Sequence, residues 1–211
     1  MSELNYPIQL IKLEENLSLY IPDPQLVKHT YEKLLAINKT SPFPFWAKIW
    51  ASSKALTSFL LAHPEIVNNK HVLEIGAGIG QPSFTIATKC KEIIISDHNK
   101  DAVELLKYNI QNVELSNATA MHIDWNAFPV GIETDVILLS DINYAPDQFE
   151  PLLNLIKKYL NLGTSIVIAT PQRIMAAAFI EKLQDYVQQQ HTTHIPEENG
   201  ITAISIYLLG K

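Results

Sequence analysis

The sequence predicts an α/β fold: a mostly parallel, seven-stranded sheet with helices on both faces and an antiparallel hairpin at its end. Three observations predict it. From residue 71 onward, short apolar runs alternate with stretches of helical periodicity, the pattern that covers a parallel sheet with helices. The fourth run, Val136-Ile137-Leu138-Leu139-Ser140, is almost wholly apolar, as a strand buried on both faces must be. Asn199-Gly200 lies in the short connection between the last two runs, a strong signal for a chain reversal.

The elements follow in order. Residues 8–13 and 17–21 flank Glu14-Glu15-Asn16 and predict a hairpin, and residues 25–37 predict a helix. In Ser41-Pro42-Phe43-Pro44-Phe45 each proline biases the residue before it away from helix, so this stretch reads as an extended linker. Residues 1–45 are therefore expected to form an appendage to a domain spanning 46–211, which opens with an amphipathic helix over 46–61. The first core strand is expected at 71–76, and a helix with proline near its start at 82–90. A strand at 92–97 and a helix at 99–111 follow, the helix with Val103, Leu106 and Ile110 along one side. Strands at 118–124 and 135–141 precede a helix at 147–160, which Gly163 stops. A strand at 164–170, a helix at 174–189 and strands at 191–196 and 201–209 complete the chain. Five alternating strands plus a hairpin make seven, with one reversed.

The chain has 211 residues, 47% of them hydrophobic, enough for one full core with a small appendage. Net charge is −6, and Arg173 is the sole arginine among sixteen basic residues, which disfavours a nucleic-acid partner. Cys90 is the only cysteine, so no intramolecular disulfide can form and a reducing compartment is expected. The N-terminus has no basic segment followed by an apolar stretch, and no apolar run approaches the ~20 residues of a bilayer span. These features predict a cytoplasmic protein. The histidines show no metal-ligand spacing, and nothing signals an oligomeric state.

Chemistry concentrates in Val72-Leu73-Glu74-Ile75-Gly76-Ala77-Gly78-Ile79-Gly80 and Ile93-Ile94-Ile95-Ser96-Asp97. A strand breaking into a glycine loop, followed by a strand ending in an acid, holds a nucleoside: glycines admit the ligand to the backbone and the acid accepts from ribose hydroxyls. A dinucleotide site wants its third glycine three residues after the second, where this chain has Gln81 followed by Pro82. Glu74 fits poorly beside a pyrophosphate and well beside a cationic ligand such as S-adenosylmethionine. Asp141 ends an otherwise apolar strand, where ligands of open α/β sheets bind.

These residues, with Asp124-Trp125, Asp141-Ile142-Asn143-Tyr144 and Pro44-Phe45-Trp46-Ala47-Lys48-Ile49-Trp50-Ala51, resemble the class I S-adenosylmethionine-dependent methyltransferases. They are most similar to the lysine-methyltransferase-like group often called methyltransferase family 16, over roughly residues 44–210. The resemblance implies a Rossmann-like three-layer sandwich and a set of roles. Gly76, Gly78 and Gly80 would pass under the methionine moiety, with Glu74 near its ammonium. Asp97 would bind the ribose diol, His98 the adenine edge, Asp124 the adenine amino group, and Trp125 the ring face. Trp50 would close the pocket, Ser140 joins the cofactor-binding set, and Asp141 and Tyr144 would line the acceptor site as catalytic residues.

The expected activity is N-methylation, with S-adenosyl-L-methionine as donor and a protein lysine as acceptor. A small-molecule amine uses the same pocket and stays open as an alternative acceptor. An NAD-dependent oxidoreductase is disfavoured by Gln81, Glu74 and the reversed strand. A non-catalytic module that retained the pocket is the remaining alternative.

Overall fold

The structure, a computed structural model, describes residues 7–40, 43–143, 145–198 and 200–211. Strands β1 (Ile8–Glu14) and β2 (Leu17–Pro22) form a two-stranded antiparallel sheet, followed by helix α1 (Pro24–Ile37), whose first turn is capped by the Asp23 carboxylate. Helix α2 (Ala51–Ala62) leads into β3 (His71–Ile75), α3 (Gln81–Ile86), β4 (Glu92–Asp97), α4 (Lys100–Asn112) and β5 (Ala118–His122). Then come β6 (Val136–Ser140), α5 (Phe149–Asn161), β7 (Ser165–Pro171), α6 (Ile174–Glu181), β8 (Val187–Glu197) and β9 (Gly200–Leu209).

The main sheet has the spatial order β5-β4-β3-β6-β7-β9-β8, parallel except for β9, which pairs antiparallel with β7 and β8. Alternate side chains of the strands feed two cores. Val72, Ile95, Leu138 and Val167 pack with Leu56 and Leu60 of α2 and Leu106 of α4. Leu73, Ile75, Leu139 and Ile168 pack on the other face with Ile156 and Leu160 of α5 and Phe179 of α6. The predicted three-layer sandwich is thus the observed one. After β5 the chain returns to the far side of β3, so strand order reverses between β3 and β6 and leaves a crevice at their carboxyl ends, where open α/β sheets bind ligands.

Several elements depart from their expected bounds. The helix expected from residue 46 begins at Ala51, after a 3₁₀ turn at Phe45–Ala47 and an extended stretch through Trp50. Trp46 and Trp50 therefore do not share a helical face. The chain is drawn over Gly78 here, with the Trp46 carbonyl only 2.9 Å from where a Gly78 Cβ would stand. Helix α6 ends at Glu181 rather than 189, because fully buried Leu183 turns the chain and β8 starts early, Val187 pairing with Leu209. The last hairpin forms as expected, with Glu197 opposite Gly200; Asn199 lies outside the described residues.

The β1–β2 hairpin is not loose. Leu19 and Ile21 are buried in the core shared with α2 and α4, and Asn109 of α4 exchanges two 2.8 Å hydrogen bonds with the Tyr20 backbone. Among the described residues, no helix is long and apolar enough to cross a membrane.

Candidate active site

A cleft of about 810 Å³ opens at the carboxyl ends of β3, β4 and β6. Eight of the residues singled out in the sequence line it: Trp50, Gly76, Gly78, Asp97, His98, Trp125, Ser140 and Asp141.

Asp97 ends β4 and is 3% exposed. Its Oδ2 accepts from the Gly78 amide at 2.8 Å and its Oδ1 from the Asn99 amide at 2.8 Å, so one carboxylate ties the glycine loop to the start of α4. His98 Nδ1 lies 3.4 Å from Oδ1, its ring 6.3 Å from that of Trp125. Trp125 is oriented by its indole N–H, which donates to Gln148 Oε1 at 3.1 Å. Trp50 precedes α2 and donates from Nε1 to the Phe45 carbonyl at 2.8 Å, while Lys48 Nζ lies 4.5 Å from its ring centroid.

Asp141 follows β6 with φ 52°, a left-handed backbone rare outside glycine, and its amide donates to Ala169 O at 2.9 Å. Burial raises its carboxyl above the ordinary aspartate value; Arg173 pulls it back, and Glu197 pushes it up again. Arg173 Nη1 is 3.4 Å from Asp141 Oδ1.

Three other predicted residues lie off the cleft wall. Glu74 is fully enclosed under the loop: Ser83 donates its hydroxyl to Oε2, while Oε1 is buried without a hydrogen-bond partner. Burial, the largest cause, pushes its carboxyl up to about 7. Gly80 stands at the start of α3, where a Cβ would meet Leu106, Phe84 and Ile95 side chains, so its role is helix–strand packing. Asp124 is occupied as the cap of the Trp125–Ala127 turn, and the Asn126 amide bond holds its carboxyl below the usual range. Tyr144 lies outside the described residues.

Sequence reasoning missed Arg173, Lys48, Phe43 and Phe45 as cleft residues. Arg173 carried one available signal: it follows the carboxyl end of β7, the side of the sheet where the ligand site was already expected.

A glycine loop, a strand-end acid and aromatic side chains thus meet in one cleft at the switch point, the place where open α/β sheets bind ligands. The chain belongs to the lysine methyltransferase family, whose model matches residues 13–186. It is 25% identical over 165 residues to the protein N-terminal and lysine N-methyltransferase EFM7 of Cryptococcus neoformans var. neoformans serotype D, a match covering 71% of this chain and 53% of that protein. The chain thus spans about half the length of that relative. It is 26% identical over 159 residues to the human histone-arginine methyltransferase METTL23, covering 72% and 83%. Among solved structures, the N-methyltransferase NodS of Bradyrhizobium japonicum WM9 in complex with S-adenosyl-L-homocysteine aligns with a TM-score of 0.60 at 14% identity, covering 85% and 98%. At that identity the likeness speaks for the fold alone.

Proposed function

We propose that this chain is an S-adenosyl-L-methionine-dependent N-methyltransferase whose acceptor is a protein lysine. The observation that carries the reading is the convergence of Asp97, the Gly76–Gly78 loop and Asp141 on one cleft at the switch point.

The residues fit the cofactor. The cleft volume is in the range of small-ligand sites. Each Asp97 oxygen spends one acceptor position on a backbone amide, leaving lone pairs for a ribose diol. The loop carries no side chain at Gly78, where a Cβ would strike the Trp46 carbonyl. The buried, unpartnered Oε1 of Glu74 lies beneath that loop and gains from a cation placed above it.

When bound, the cofactor supplies a methyl group activated on a sulfonium. Asp97 holds the ribose, Trp125 and His98 flank the base, and Gly76 and Gly78 carry the methionine portion. Ser140 and Trp50 bound the pocket. Asp141 captures and orients the acceptor amine; for Tyr144, outside the described residues, a role in the acceptor site rests on the family resemblance alone. Phe45, Trp50 and Ile142 desolvate the amine and so lower its pKa from the free ~10.4, and its proton passes to water. Fixing the amine against the donor is the main catalytic contribution. The lysine acceptor is supported by the family's description and by the name of the Cryptococcus relative. A reducing, cytoplasmic setting suits the free, buried thiol of Cys90.

The test is transfer of labelled methyl from the donor into a lysate. Label is expected in protein, as methyllysine, with Asp141→Asn lowering transfer at least about tenfold, the loss of roughly one oriented contact. Label confined to low-mass products would replace the protein acceptor with a small amine. Absence of S-adenosylhomocysteine binding by calorimetry would remove the cofactor assignment itself.

A further inference from the structure

The carboxylate that orients an acceptor amine raises a chemical difficulty. A nearby anion favours the ammonium form, whereas only the neutral amine can attack a methyl carbon. The cleft contains a group that answers it. Arg173 stands between β7 and α6, and its guanidinium approaches Asp141 to 3.4 Å. Both residues line the cleft; the Asp141 side chain is 11% exposed and that of Arg173 48%. The Asp141 amide is bonded to Ala169 of β7, the strand that delivers Arg173, so neighbouring backbone fixes both halves of the pair.

The other charges around this pair do not substitute for Arg173. Glu197 of β8 adds negative charge to Asp141. Asp97 is engaged by the Gly78 and Asn99 amides, with His98 beside it. Lys48 rests over the Trp50 ring. Among the described residues, Arg173 is the cation in contact with Asp141.

We propose that Arg173 is a positioning and specificity residue of the acceptor site, holding Asp141 in a charge-compensated pair that an incoming amine cation must part. Asp141 then orients the amine without trapping its proton, because the guanidinium stays close enough to compete for the carboxylate and its positive charge disfavours the ammonium form. Acceptors that approach as strong, compact cations exchange with Arg173, and neutral ones do not. The inference rests on the cleft being the methyl-transfer site.

The experiment uses the full chain with Arg173→Gln and Arg173→Lys, the latter keeping the charge. The probe is n-butylammonium, titrated by NMR in the presence of S-adenosylhomocysteine. Arg173→Gln should bind it about threefold to tenfold more tightly than wild type, the effect of removing one competing, partly exposed charge. Arg173→Lys should stay within about twofold of wild type, and Asp141→Asn combined with Arg173→Gln should abolish the gain. In labelled-methyl transfer, the alkaline rise of kcat should move up by about half a pH unit or more in Arg173→Gln, with a lower KM. Equal or weaker probe binding by Arg173→Gln, or an unmoved pH profile, overturns the role of Arg173. If wild type binds S-adenosylhomocysteine and the probe while Arg173→Gln gives that null result, this inference alone fails. A wild type that binds neither ligand defeats the functional reading as well.

Discussion

Glu74 lies wholly enclosed on β3, with Ser83 donating to one carboxylate oxygen and nothing on the other. Burial moves its carboxyl from 4.5 to about 7; Ser83 opposes that shift and Asp97 adds to it. The folded value exceeds the unfolded one, so the stabilising contribution is complete below about pH 4.5 and is lost as pH rises through about 7. The ionised, folded state therefore forfeits about 3 kcal/mol. Glu74→Gln should remove this loss: by urea unfolding, its stability relative to wild type should rise by about 2–3 kcal/mol from pH 5 to pH 8. Parallel pH curves for the two proteins would contradict the assignment. The acid itself was legible in the sequence as a loop-flanking charge. Its enclosure was not, because burial depends on Ser83, Ser96 and the covering helix, which local pattern does not report.

Two glycines of one motif do different work. Gly78 has φ 55° and faces main chain, with a Cβ site 2.9 Å from the Trp46 carbonyl, so the loop and the segment before α2 are locked together. Gly78→Ala must strain both, at about 1–3 kcal/mol of stability, and should weaken S-adenosylhomocysteine binding by roughly tenfold or more in calorimetry. Unchanged affinity would show that the loop does not carry the ligand. Gly80 instead meets Leu106, Phe84 and Ile95 side chains and serves helix packing. The motif was readable and its division of labour was not, since spacing cannot tell which neighbour each glycine faces. β4 shows the opposite case: its bounds, Glu92–Asp97, are those the apolar run and terminal acid imply. The segment after residue 45 runs the other way, its helical periodicity overridden where tertiary packing keeps residues 48–50 extended.

The N-terminal hairpin is packed into the main body. Leu19 is fully buried in the core that includes α2 and α4, and Asn109 clamps Tyr20 from α4. Leu19→Ala should therefore cost about 2–5 kcal/mol, read as a lowered midpoint of one cooperative unfolding transition. A separate early transition, with the main one unmoved, would show the hairpin to be an independent unit. The family match begins at residue 13, inside the same hairpin. Alternation of apolar runs with helical periods, the near-unbroken run of β6 and the closing reversal were enough to specify layers, strand count and the reversed strand, because these follow from backbone periodicity and hydrophobic burial. The glycine loop and strand-end acids likewise marked the edge of the sheet where the cleft opens. The pairing of Asp141 with Arg173, the aromatic wall from Phe43 to Trp50 and the withdrawal of Glu74 from the cleft emerged through folding alone. Asp141 and Arg173 are 32 positions apart, and the other two features arise where the segment before α2 and the glycine loop fold over the sheet, so all three are set by how the layers dock rather than by local pattern.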